Sequence, residues 1–298
     1  MIAHIDKKTG KEQAVLEHLE ETARLAEIIG SELHIGHLAY LTALLHDLGK
    51  WRKRFEDYLR AAVSGKKGAY RGSVNHSSAG AVYIYRRYYK GERIERLTAQ
   101  LISMAIFSHH GLIDCVAPDG KPVFIERTEN IQDIDYEEVL FNLGKSTISE
   151  SYLDKLFIAS VEEVKQFQNK IEELSDRIVS VVPEGREKIK RKAVLITYFH
   201  SVLERTLLSV LIDADRLNTA KFCNGRAENV FEKDKRDSWE KVTCNLEDYL
   251  KKFHGTDKIS LLRTRIAEDC RLFAKKQEGI YRLSVPTGGA KTLSSFIR

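Results

Sequence analysis

The sequence predicts an all-α fold, and two features predict it. Apolar residues recur three and four apart over long stretches, as one face of a helix requires. Only four prolines occur, Pro118, Pro122, Pro183 and Pro286, and they separate those stretches rather than interrupt them. In chain order, helix 12–29 rests on Leu16, Leu19, Ala23 and Ala26, and helix 37–48 on Leu38, Leu41, Leu45 and Leu48. Helix 76–90 follows the turn "RGSVNHSSAGA", with Asn75 as a candidate cap. Helix 94–110 contains the apolar run "LISMAIFSHHG". Helices 151–180, 186–220 and 258–276 follow, the second carrying Leu203, Leu207, Val210, Ala214 and Leu217. Between them, 111–150 reads as a loop-rich insertion holding Gly111, Pro118, Gly120 and Pro122, with a short hairpin expected. The tail "GIYRLSVPTGGAKTLSSFIR" differs: a short apolar strand, a Gly-rich turn, then a helix start. This divides the chain into a helical domain, 1–275, and a short second segment, 276–298.

With 298 residues the chain can bury a sizeable core. No apolar run approaches the roughly 20 residues of a membrane span, and the N-terminus has no secretory h-region. Cys115, Cys223, Cys244 and Cys270 form no C-x-x-C pair, which fits free thiols and a cytoplasmic location. Against 43 acidic residues stand 48 basic ones, a net charge of +5 that permits a polyanionic partner without demanding one.

Chemistry enters at "LTALLHDLGKWRKRF", Leu41 to Phe55. Leu41, Leu44, Leu45 and Leu48 define a buried face, and His46 and Asp47 fall in the last turn of that helix. Gly49 reads as the left-handed residue that ends it. A buried carboxylate is costly unless it is paired or binds a metal. Alone, the dipeptide reads as a satisfied internal pair. It is not alone. His18 interrupts an amphipathic helix, His76 stands at a helix start, His109 and His110 end an apolar run, and "VLIDADRLNTA" puts acids inside an apolar helix. Imidazole and carboxylate together suit Fe, Mn, Co, Ni or Zn.

The order His, His-Asp, His, His-His, Asp resembles the HD phosphohydrolases. More closely, the chain resembles the HD nuclease domain of the CRISPR-associated nuclease–helicase of type I systems. The matching segments are "AHI" with "LEHLEETARLA", "HDLGKWRKRF", "NHSSAGAVY", "SHHG", "DADRLNTA" and "VPTGGAKT", nearly the whole chain. That resemblance implies an HD helical bundle with two divalent metal ions. His18, His46, Asp47 and the late aspartate would hold one. Asp47, His76, His109 and His110 would hold the other, with Asp47 bridging. Two such ions can activate a water and stabilise the leaving oxygen of a phosphodiester. Asp47 and Lys50 are the expected catalytic pair: Lys50 either reaches a phosphate oxygen or is a solvated lysine at a helix end. His4 belongs to the family's opening motif but is not a ligand there, and is read as structural.

Of the two late acids, Asp215 shares a helix face with Leu208, Leu211 and Ile212, while Asp213 lies opposite and can pair with Arg216. Asp215 is therefore the expected ligand. Three basic and aromatic strips, "KWRKRF", "KKGAYRG" and "YIYRRYYK", flank the ligand positions. Trp51, Arg52, Arg86 and Arg87 are their candidate contacts to single-stranded DNA, with ordinary solvated helix surface as the plain alternative.

"VPTGGAKT" resembles motif I of superfamily-2 helicases, in which Lys291 and Thr292 would serve phosphate and magnesium. Ala290 stands where that motif has glycine, and its Cβ is expected to obstruct a phosphate. No second helicase motif follows before Arg298, so an inert stump is expected, the intact protein continuing into an ATP- and magnesium-dependent helicase. The resemblance implies a nuclease that cuts single-stranded foreign DNA after recruitment to an RNA-guided surveillance complex. Two other readings compete: an HD enzyme that hydrolyses a nucleotide or cyclic nucleotide, and a non-catalytic, metal-stabilised recruitment module.

Overall fold

The computed structural model describes residues 1–65, 74–129, 134–224, 239–252, 255–276 and 281–295. It is all-α apart from one small hairpin. Strands β1 (Ile2–Ile5) and β2 (Glu12–Ala14) pair antiparallel. The turn between them closes on Asp6, whose carboxylate accepts from the Lys8 backbone at 3.0 Å, and on Gly10 at φ +73°. Both strands are too short to give a periodic signal, and the sequence reading placed no strand there.

Helix α1 (Val15–Ser31) follows β2 directly and buries Val15, Leu19, Ala23 and Ala26. Helix α2 (Gly36–Leu45) is apolar on almost every face because it runs through the centre of the bundle. A 3₁₀ turn (Leu48–Lys50) leads to α3 (Lys53–Val63). Helices α4 (Ala79–Tyr88) and α5 (Arg93–Ser108) form the next pair. The start of α5 is fixed by Glu95, whose carboxylate accepts from the Glu92 backbone N–H at 2.6 Å. Ser78, not Asn75, stands at the cap of α4, without a side-chain cap bond.

The stretch expected to be loop-rich, with a hairpin, instead holds two short helices, α6 (Val123–Glu129) and α7 (Tyr136–Gly144). Their buried Phe124, Val139 and Leu143 join the main core, so tertiary contact stabilises helices too short to persist alone. Long α8 (Glu150–Val179), capped by Ser149, and α9 (Arg186–Asn224) complete the bundle. Packing joins α1 to α2 and α9, α2 to α8, and α5 to α4 and α9. By length and apolarity α9 reaches the measure of a membrane-crossing helix, contrary to the sequence expectation. Its Leu203, Leu207, Leu211 and Ala214 are nevertheless buried in this bundle.

By compactness the chain forms two units, 1–227 and 228–298. The second contains α10 (Trp239–Lys251), α11 (Lys258–Ala274) and the short α12 (Lys291–Ser295). The strand expected before the Gly-rich turn does not form: 281–286 is irregular.

Candidate metal centre

At the end of α2 the chain stops being helical between two residues. His46 keeps helical angles (φ −58°, ψ −38°), and Asp47 leaves them (φ −115°, ψ 27°). The two side chains therefore converge on one point instead of fanning out around a helix. Gly49 is not left-handed, contrary to the sequence expectation. Glycine is needed there because a Cβ would run into the backbone of His76. Gly80 has the same role one layer away, since a Cβ would strike the Leu45 carbonyl oxygen. These two close approaches bring the His76 segment and α4 against the His-Asp turn.

The first cluster gathers His18 from α1, His46 and Asp47 from the turn, and Asp215 from α9. Asp47 Oδ2 lies 3.2 Å from His46 Nε2 and 3.4 Å from His18 Nε2. Asp215 Oδ1 lies 3.6 Å from His18 Nε2 and 3.7 Å from His46 Nε2. Asp213 is exposed and outside the cluster, and among the described residues no ion pair joins it to Arg216. Asp47 is shared with the second cluster, of His109 and His110, through an Oδ1–Nε2 distance of 3.5 Å to His109. His76 reaches that side by its Nε2, 2.8 Å from His110 Nε2.

Four of the rings are held from behind. His46 Nδ1 donates to the Ala43 carbonyl at 2.7 Å, His109 Nδ1 to Ile106 at 2.7 Å, and His76 Nδ1 to Val74 at 3.0 Å. A carbonyl only accepts, so Nδ1 carries the hydrogen and Nε2 faces the centre. Asn218, which the sequence reading passed over, lies 2.8 Å from His18 Nδ1. The available signal was a polar residue inside an apolar helix, one turn after Asp215.

Lys50 was expected at a phosphate or in solvent. It is buried, with Nζ 2.8 Å from Asp47 Oδ2 and 3.0 Å from His4 Nε2. His4, read as structural, thus touches the centre through Lys50. Burial, reinforced by the neighbouring Lys50 charge, pushes the His4 pKa down to about 2. Burial also disfavours charge on His46, but Asp47 and Asp215 outweigh it and push its pKa up to about 10. Burial works against the Asp47 carboxylate as well, yet Lys50 and His46 hold it well below the usual carboxylate range. Burial, reinforced by the neighbouring His109, pushes the His110 pKa down to about 4.

The strips expected to grip DNA are largely used by the fold. Trp51 and Arg52 are buried. Arg52 donates to the Gly49 carbonyl at 2.9 Å, to Asp135 at 3.1 Å and to the Asn75 carbonyl, clamping the His-Asp turn to the segment that carries His76. Arg87 grips Asp154 with two nitrogens, at 2.9 and 2.8 Å, and Glu150 at 2.9 Å. Arg86 is exposed, its guanidinium 4.5 Å from the Tyr136 ring centre. The strip "KKGAYRG" lies outside the described residues. In the tail, Lys291 and Thr292 are exposed at the start of α12. Ala290 sits at φ +56°, a left-handed conformation that glycine takes without strain.

The donor set fits a cation. His46 Nε2, His109 Nε2 and Asp47 Oδ1 are buried without a hydrogen-bond partner, and all three point into the centre. Buried polar atoms left unsatisfied cost about 1–3 kcal/mol each. His18, His46, Asp47 and Asp215 would hold one ion, and Asp47, His109, His110 and His76 a second.

Residues 15–141 match the model of the HD domain. That span includes all the ligand-type histidines and Asp47; Asp215 lies beyond it. An HD domain with this His/Asp cluster supports a metal-dependent phosphohydrolase. No curated protein matches the chain.

Proposed function

We propose that the chain is a dinuclear metal-dependent nuclease that hydrolyses phosphodiester bonds of single-stranded DNA. In the cell it would act in CRISPR interference, on DNA delivered by an RNA-guided surveillance complex. One observation carries the reading: two ligand clusters share Asp47, and the second opens to solvent through His110. Bound there, divalent ions such as Fe, Mn, Co or Ni would supply an activated water and charge for the leaving oxygen.

The chain's own residues hold and orient the site. Asp47 turns Oδ2 to the first cluster and Oδ1 to the second, so one carboxylate serves both. The carbonyls behind His46, His76 and His109 fix which nitrogen is available. Lys50 offsets the acidic charge of Asp47. To reach a phosphate it must leave Asp47 and His4. Exposed His110 and half-buried His76 form the face that a strand can approach. An unpaired strand can bend into such a recess, whereas a duplex is stiff.

A second reading, hydrolysis of a small nucleotide, is favoured by the burial of Trp51 and Arg52 and the pairing of Arg87. A small substrate needs no basic track. The test is metal content after chelator-free purification, then cleavage of single-stranded DNA, blunt duplex and cyclic nucleotides with the same ion. Faster cleavage of single strands, unaffected by ATP, is expected. Nucleotide hydrolysis without DNA cleavage selects the second reading. Loss of fold on metal removal, with no hydrolysis in any ion, selects a recruitment module.

A further inference from the structure

His46 and His109 lie at helix C-termini, where the last carbonyls have no helical partner and are free to receive Nδ1. His18 has no such resource. It is the fourth residue of α1, and the carbonyls behind it accept the helix's own N–H groups. Its anchor must come from elsewhere, and it comes from 200 residues away. Asn218, on α9 one turn after Asp215, is fully buried with Oδ1 2.8 Å from His18 Nδ1.

The orientation of that amide is forced. Asn218 Nδ2 donates to Glu21 Oε2 at 2.7 Å, and Oδ1 accepts from Gln13 Nε2 at 3.2 Å. A carboxylate only accepts, so Nδ2 must face Glu21. Rotating the amide would set its oxygen against the carboxylate and its NH₂ against the Gln13 donor. With Oδ1 thus directed at His18, Nδ1 must carry the hydrogen, and Nε2 faces Asp47 and Asp215 at 3.4 and 3.6 Å. We propose that Asn218, itself directed by Glu21, is the positioning residue that sets the His18 tautomer and docks the α9 ligand Asp215 against α1. The assignment rests on the metal-centre reading for its purpose, but not for its geometry.

Two measurements test it. In metal-free wild-type protein, long-range ¹H–¹⁵N correlation should show His18 protonated at Nδ1. An Nδ1 without hydrogen overturns the proposal. In calorimetric titration with Mn²⁺ alone, Asn218→Leu should weaken one class of sites by about 10–100-fold and leave the other unchanged. Glu21→Gln, at a partly exposed position, should weaken the same class to a smaller degree, and it carries the test if Asn218→Leu does not fold. Equal loss in both classes, or no loss in either, overturns the proposal. A wild-type protein that takes up no Mn²⁺ removes the metal reading instead, and the tautomer measurement still decides the role of Asn218.

Discussion

The two sides of the centre are built from the same residue types and differ in access. On one side His18, His46 and Asp47 are at most 1 % exposed, and only Asp215, with 22 % of its side chain accessible, meets solvent. On the other, His109 is buried, His76 half-buried and His110 exposed. The closed side draws on α1, α9 and the turn that ends α2. The open side draws them from a helix end and the segment before α4. In the proposed nuclease that difference would separate two tasks: the closed cluster would hold an ion, and the open one would leave positions for water and a phosphate oxygen.

The largest effect is expected where the sides meet. Asp47→Ala should lose both classes of ion and drop hydrolysis to background, with the helical circular dichroism retained. If one class survives with unchanged affinity, the sides do not share Asp47.

Next comes Lys50→Met, which should separate the closed side's charge balance from catalysis. Removing one partner of a buried pair typically costs about 3–5 kcal/mol. The metal-free variant should melt well below wild type, and Mn²⁺ should recover much of the loss by compensating Asp47. A variant as stable as wild type without metal contradicts the buried pair.

The third comparison is between neighbours on α9. Asp215→Asn should weaken the closed-side ion at least about tenfold, and Asp213→Asn should leave it unchanged. A metal titration ranks them, and the reverse order moves the ligand to Asp213.

The smallest effect belongs to the exposed last turn of α4. Arg86→Glu removes an exposed cation–π contact worth about 0.5–1 kcal/mol and one candidate phosphate contact. DNA affinity should fall modestly, with a salt slope lower by about one, and metal content should not change. Binding that is insensitive to salt favours the small-nucleotide reading.

The helical class, the long helices and the ligand-type residues were legible in the sequence because each is a local signal. Periodicity of three and four shows a buried helix face, and a histidine or aspartate on an apolar face stands out against its neighbours. Preferring Asp215 to Asp213 rested on the angle between successive helix residues, on a pairing with Arg216 that the described residues do not show, and on the family resemblance; Asp215 is the one that lies beside His18 and His46. Where the sequence reading failed, the cause was contact between distant segments. Helices α6 and α7 are too short to announce themselves and exist because Phe124, Val139 and Leu143 reach the core. "KWRKRF" has the composition of a nucleic-acid strip, yet Trp51 and Arg52 point inward, because the carbonyls of Gly49 and Asn75 and the Asp135 carboxylate are gathered at one point. Gly49 was read as a helix terminator and proved to be the place where the His76 backbone presses in. Sequence by itself determined which residues could bind a metal and the order in which they occur. Tertiary structure decided which nitrogen each histidine offers and where Lys50 and Arg52 point, because those depend on partners as far away as Asn218 is from His18, and no local pattern records them.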